Sequence, residues 1–179
     1  MVTNLLILGK GDNIITMILD NLCSVRQFPK ITIYNNLDLP IGNPFNHSDF
    51  SIKISNHLEI LDYSFYVLGI YQPKNKIKIV EILCPNMDRF VNVIHDGLDI
   101  SKMSTLGRGL IINSKVSIAA HTTIGDFVTI NRHVSIGHHT VIGDYCSINP
   151  GTNIAGNVTI GDGTTIGIGV NIIDGVKIG

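Results

Sequence analysis

Charge is scarce in this chain. Acidic and basic side chains make up 15% of its 179 residues, and the formal net charge is −1. No basic cluster able to follow a phosphate backbone is present, so no nucleic-acid partner is expected. Cysteine is scarce too. Cys23, Cys84 and Cys146 are an odd number, widely spaced and without a CxxC pair, which argues against a disulfide framework and for reduced thiols in a cytoplasmic protein. Long apolar runs are missing. The start, MVTNLLILGKGD, has no basic n-region, and its apolar stretch is too short for a signal peptide or a membrane span. The positive mean hydropathy therefore reflects regularly placed isoleucines. Proline almost vanishes after residue 88, where Pro150 alone remains.

The two halves follow different patterns. Residues 1–88 read as a small α/β Rossmann-like domain. Thr3 to Leu8 is a short apolar strand ending in Gly9-Lys10-Gly11-Asp12-Asn13. A helix follows with Ile14, Ile15, Ile18, Leu19 and Leu22 on one side. Further strands are predicted at Lys30 to Tyr34 and Phe65 to Ile70, and a lysine-rich helix from Lys74 to Leu83; the segment IGNPFNHSDF between them is read as loop. Cys84 to Asp88 reads as the linker.

Residues 89–179 read as a left-handed parallel β-helix. From Ile94 to Ile178 an aliphatic residue stands at every sixth position without a miss, as Ile in every case but Leu106. Neither a helix nor an ordinary strand has that period. A triangular coil does, with three short faces that each send one side chain inward at the same phase. Fifteen such units make five coils of 18 residues. Two residues before each aliphatic position stands a second inward residue, small or β-branched: Val116, Thr122, Val128, Val134, Thr140, Cys146 and onward. The residue after each aliphatic position is mostly Gly, Asn or Ala, and positive φ is expected there. Residues 18 apart form columns, Asn113-Asn131-Asn149 and Asp126-Asp144-Asp162 among them. The Asn column is expected to hydrogen-bond along the axis, and the Asp column to cap backbone amides.

Four of the seven histidines fall in the middle of the prism: His121, His133, His138 and His139. His121 and His139 are 18 apart and should stack. His138 should point outward at a corner. Its imidazole suits proton transfer, and a polar surface or interface role is equally compatible with the pattern.

The run INRHVSIGHHTVIGDYCSINPGTNIAGNVTIGDGTTIGIG resembles the hexapeptide-repeat acyltransferases, within them the sialic acid O-acetyltransferases and the N-acetyltransferases of nucleotide-linked 4-amino sugars. The resemblance implies a homotrimer with acetyl-CoA as co-substrate and a nucleotide-activated amino sugar as acceptor, serving bacterial surface glycan synthesis. It places His138 at the general base and Asn131 in the same pocket, although the Asn column offers a structural alternative. It places the Gly156 amide at the thioester carbonyl, and Ala155, Gly156, Gly167 and Gly169 along the pantetheine arm, where small residues in tight corners are the other reading. Substrate contacts are assigned to Gly9, Lys10, Gly11, Asn35 and His139. His139 stands where relatives carry an acidic residue that orients the base, so orientation is expected from elsewhere, such as a neighbouring prism. The first loop lacks the usual Gly-x-Gly-His run, and Asn35-Asn36 replace acidic residues. Relatives continue beyond the repeat that ends at Gly179, so a weaker hold on coenzyme A is expected. Cys146 lies in the core by phase, leaving no nucleophile for an acyl-enzyme.

Three rivals remain open at this point: an O-acetyltransferase acting on a sialic acid or other sugar hydroxyl, a non-catalytic trimeric scaffold, and a zinc enzyme. The last resembles the carbonic anhydrases of this fold through His133 and His138. A catalytic zinc takes three protein ligands, and neither His95 nor His121 stands at a suitable repeat offset, so no metal is expected.

Overall fold

A computed structural model of the chain describes residues 4–9, 12–25, 28, 30–34, 51–55, 63–83 and 87–179. The first half consists of β1 (Asn4–Leu8), α1 (Asp12–Val25), β2 (Lys30–Tyr34), β3 (Ser51–Ser55), β4 (Phe65–Leu68) and α2 (Pro73–Leu83). The strands form one parallel sheet in the order β3-β2-β1-β4. In β1, Leu5 to Leu8 are all buried, because a central parallel strand is covered on both faces and needs a continuous apolar run. Leu5 and Ile7 pack with Ile14, Ile15 and Ile18 of α1, while Leu6 and Leu8 pack with Val80 of α2. The five apolar residues expected on one side of α1 are all buried. Strand β3 is absent from the sequence reading, and the preceding segment 41–50 lies outside the described residues. The 3-10 turn Met87–Arg89 leads out of this half, and Phe90 still bridges Tyr66 of β4 in parallel.

The second half is the three-sided coil that the hexad demands, a left-handed β-helix. Fifteen two-residue strands form three parallel sheets of five. The first face runs from Val93–Ile94 to Thr165–Ile166, the second from Asp99–Ile100 to Asn171–Ile172, and the third from Thr105–Leu106 to Lys177–Ile178. Successive coils pair at an offset of 18 residues, as in Ile136↔Ile154. The interior is one cluster in which the isoleucines alternate with Val116, Val128, Val134, Cys146 and Val158. Thr122, Thr140 and Thr152 are also fully buried. Their hydroxyls donate to the carbonyls of Gly137, Ala155 and Gly167, which removes the cost of burying an unpaired oxygen.

The columns behave partly as expected. Asp126, Asp144 and Asp162 each accept the amide hydrogen of the residue one coil earlier, those of Arg108, Asp126 and Asp144 respectively, at 2.7–2.9 Å. The Asn column holds for one step, where Asn113 Nδ2 donates to Asn131 Oδ1 at 3.3 Å. At Asn149 it is interrupted, because Nδ2 donates to the Ile166 carbonyl and Oδ1 accepts from the Tyr71 hydroxyl.

Positive φ does not fall where the sequence reading places it. Apart from Gly179 at the last position, it falls three residues after the aliphatic position and not one: Lys115, His121, Phe127, His133, His139, Tyr145 and Asn157 all lie between +57° and +62°. At Gly107, Gly125, Gly137 and Gly143, directly after the aliphatic position, the next coil leaves no room for a side chain. A Cβ at Gly125 would lie 2.3 Å from Asp144 Oδ1, and one at Gly137 would lie 2.5 Å from the Ala155 carbonyl carbon.

The α/β half covers the first face. The leading, outward residue of the three middle strands there is buried, namely Ile111, Thr129 and Ser147. On the other two faces no outward strand residue is buried. Val93 and Ile111 join the apolar cluster beneath α1. Among the polar links between the halves, three add direction. Asn21 Nδ2 donates to the Ile112 carbonyl at 3.1 Å, and Ser147 Oγ donates to the Tyr71 carbonyl at 2.9 Å. The third is Lys76, 1% exposed, whose ammonium donates to the Phe127 and Cys146 carbonyls and to the hydroxyls of Thr129 and Ser147. Burial pushes its pKa down to about 7, opposed weakly by Cys146.

Candidate active site

Each coil turns three corners, and the residues singled out in the sequence fall on two of them. The corner after the second face carries Gly137, His138 and His139 in one coil, and Ala155, Gly156 and Asn157 in the next. The corner after the first face carries Asn131 and His133, and two coils on Gly167 and Gly169. Within the chain, therefore, His138, His139, Ala155 and Gly156 are together. Asn131, Gly167 and Gly169 lie across the width of the second face from them. His133 and His138 also fall on different corners, and among the described residues no group of three or more His, Cys, Asp or Glu is placed to hold a metal ion.

His138 is exposed and its backbone is clamped. Its carbonyl accepts from Asn157 N at 2.9 Å, and the next amide, His139 N, donates to the Ala120 carbonyl at 3.1 Å. The imidazole lies over Gly156, where a Cβ would come within 2.6 Å of Cε1 and 2.9 Å of Nε2. On the ring's other nitrogen, Nδ1 of His138 is 3.1 Å from Nδ1 of His139. Within the chain, the group nearest that nitrogen is thus the ring of the adjacent histidine. His139 in turn faces His121 of the preceding coil, ring centroids 4.8 Å apart, as their spacing predicts.

Asn131 is buried between the two halves. Its Oδ1 accepts from Asn113 Nδ2 and from Arg132 N, and its Nδ2 contacts Met17 Sδ at 3.7 Å. The Tyr71 hydroxyl sits between Asn131 and Asn149, and burial raises its pKa against the lowering effect of the Asn131 hydrogen bond. Gly167 and Gly169 are exposed, and Gly169 takes a φ of +66°. Cys146 is buried with its thiol donating to the Gly161 carbonyl at 3.1 Å, and burial raises its pKa. That thiol is unsuited to nucleophilic attack. Gly9 ends β1 with a φ of +103°, and a Cβ there would meet Ile70 Cγ1 at 2.5 Å. Lys10, Gly11 and Asn35 lie outside the described residues. Two contributors escaped the sequence reading. Tyr71 carries no motif, and Lys76 was hidden among neighbouring lysines, although its place four residues before Val80 puts it on the buried stripe of α2.

This geometry matches known proteins at two levels. The β-helix is built of hexapeptide repeats: residues 121–156 and 139–172 match the family described as bacterial transferase hexapeptide (six repeats). Three solved structures are similar over nearly the whole chain. One is a mutant of perosamine N-acetyltransferase from Caulobacter crescentus in complex with CoA and GDP-perosamine, at 18% identity, TM-score 0.74, covering 99% of this chain and 92% of that one. Another is the acetyltransferase domain of PglB from Neisseria gonorrhoeae with acetyl coenzyme A, at 17% identity, TM-score 0.73, covering 99% and 97%. WeeI from Acinetobacter baumannii follows at 17% identity, TM-score 0.71, covering 99% and 90%. These likenesses establish the fold of both halves together. No curated protein sequence matches the chain significantly. No helix among the described residues is long and apolar enough to cross a membrane.

Proposed function

We propose that the chain is a cytoplasmic acetyltransferase that moves the acetyl group of acetyl-CoA to the amino group of a nucleotide-linked amino sugar, working as a homotrimer in bacterial surface glycan synthesis. The observation that carries this reading is the exposed His138, held by the backbone at its corner on two coils, seated on Gly156 and tied to His139 through Nδ1, which leaves Nε2 beside Gly156 without a hydrogen bond among the described residues. The CoA and GDP-perosamine bound to the Caulobacter protein and the acetyl coenzyme A bound to the Neisseria domain support the choice of substrates.

In this reading residues 1–88 hold the nucleotide sugar, with Gly9 and the residues after β1 near its phosphates. Residues 89–179 hold the thioester. The acceptor amine attacks the acetyl carbon while His138 Nε2 takes an amine proton. The Gly156 amide faces the developing oxyanion. The C–S bond then breaks, and the departing thiolate receives the proton from His138, leaving amide and free coenzyme. The column Gly137, Ala155 and Ile173 is small or apolar down the same corner, and Ile173 is exposed, which suits an aliphatic pantetheine arm. A trimer would bring the Gly167 and Gly169 corner of one prism towards the His138 corner of its neighbour, with Asn131 buried beneath the α/β half of its own chain.

The test is an acetyl-transfer assay with acetyl-CoA and a panel of nucleotide-linked amino sugars beside sialic acid and other hydroxy sugars. The reading predicts transfer to an amino sugar, and thermal stabilisation by the same nucleotide sugar, since a ligand that binds the native state raises Tm. Transfer to hydroxyls alone would move the chain to the O-acetyltransferases. Neither transfer nor binding of acetyl-CoA would make it a scaffold.

A further inference from the structure

We propose that His139 is a positioning residue that fixes the tautomer and ring orientation of His138 through their Nδ1 atoms. This rests on the reading of His138 as general base. The two Nδ1 atoms lie 3.1 Å apart. A hydrogen bond at that distance needs one proton and one lone pair, so two neutral imidazoles there hold opposite tautomers. A base acting through Nε2 needs its lone pair there and its proton on Nδ1. His138 is then the donor and His139 the acceptor, with the His139 proton on Nε2.

Three features of the fold hold His139 in that role. Its backbone takes the φ of +57° common to the third residue after an aliphatic position, and its amide is anchored on Ala120 of the preceding coil. Its ring is caught against His121 at 4.8 Å on one side and meets His138 at an interplanar angle of 84° on the other. The two planes are therefore not stacked, and the 3.1 Å approach of the two Nδ1 atoms is an edge contact between the rings. When His138 takes the acceptor's proton, its Nδ1–H becomes part of an imidazolium, and the bond to His139 becomes charge-assisted. The contact thus strengthens in the transition state and not in the ground state, so its loss should appear in kcat and not in KM.

Two variants separate this from a packing role. His139→Phe keeps a planar ring against His121 and removes the acceptor. His139→Asn keeps an acceptor and tolerates the positive φ. The Phe variant is expected to lose about ten- to a hundredfold in kcat, the scale of one charged hydrogen bond, with KM for both substrates within about twofold. The Asn variant is expected to recover most of that loss. Nitrogen-15 NMR of histidine-labelled protein reads the pairing directly, whether or not the chain transfers acetyl. His138, assigned by loss of its signals in His138→Gln, should carry its proton on Nδ1 in the wild type and lose that preference in His139→Phe. Wild-type kcat in the Phe variant, a loss confined to KM, or a resting His138 protonated on Nε2 would each overturn the proposal. An Nδ1-protonated His138 in a chain without transferase activity would instead overturn the function and leave the pairing standing.

Discussion

The imidazole of His138 rests on Gly156 of the next coil, closely enough that any β-carbon at that position would enter the ring's van der Waals envelope. The glycine is therefore the floor of the candidate site as well as its proposed oxyanion donor. Gly156 does not have a positive φ, so alanine is allowed by the backbone and excluded by the ring alone. Gly156→Ala is expected to tilt the imidazole and lower kcat by about tenfold to a thousandfold, the range over which loss of one oxyanion donor or of positioning acts. Tm should stay close to wild type. Steady-state kinetics and a melting curve on the same preparation check both halves of the expectation.

Two other glycines on the prism should separate stability from coenzyme binding. A Cβ at Gly125 would lie 2.3 Å from Asp144 Oδ1 and 2.8 Å from its amide nitrogen, in the ladder of aspartates that caps successive coils. Gly125→Ala should cost about 1–3 kcal/mol, as overpacking does, and lower Tm by several degrees. At Gly167 the nearest atom to an added Cβ is Val170 Cγ2 at an ordinary 3.5 Å. Gly167→Ala should therefore leave Tm unchanged and raise KM for acetyl-CoA if the pantetheine arm passes there.

Lys76 gives the chain a pH dependence of known sign. In the unfolded chain its ammonium keeps a proton up to about 10.5, and in the folded chain only to about 7. Between these values the unfolded state binds more protons, so this group makes the fold more stable as pH rises above 7, by up to about 1.4 kcal/mol per pH unit. Cys146 opposes it above the ordinary thiol value of 9.0, because burial raises its pKa and the folded state then holds the extra proton. The window free of that opposition is pH 7 to 9. Urea melts in that window should show stability rising with pH in the wild type and a flatter response in Lys76→Met.

The prism was legible in the sequence because its geometry leaves no choice. Every sixth side chain points into a corner too narrow for anything polar and unpaired, and Ile94 to Ile178 record that constraint one residue at a time. The α/β half was legible wherever burial was complete, as in Leu5 to Leu8 and along α1. Strand β3 was not, because SIKIS at the sheet edge is only partly covered and offers five residues of weak alternation. The position of positive φ was misread because two kinds of smallness look alike in sequence. Gly125 and Gly137 are small through contact with the next coil, whereas the left-handed residues include His121, Phe127 and Tyr145, which no composition rule would select. In the candidate site the outward corner position of His138 could be read from its phase. Its partner could not, since a histidine beside a histidine gives no sign of which nitrogen meets which until the coil fixes both rings. Asn131 shows the converse. Its column was visible, but its burial against Met17 and beside Tyr71 depends on how the two halves dock.

The central claim is that His138 removes a proton from the sugar amine as it attacks acetyl-CoA. The most direct measurement is the single-turnover rate of acetyl transfer to a nucleotide-linked amino sugar by wild type and His138→Ala at saturating substrates. The variant should be slower by about two to four orders of magnitude, the range of general-base catalysis, while binding acetyl-CoA and melting as the wild type does. A His138→Ala rate within a fewfold of wild type would contradict the account.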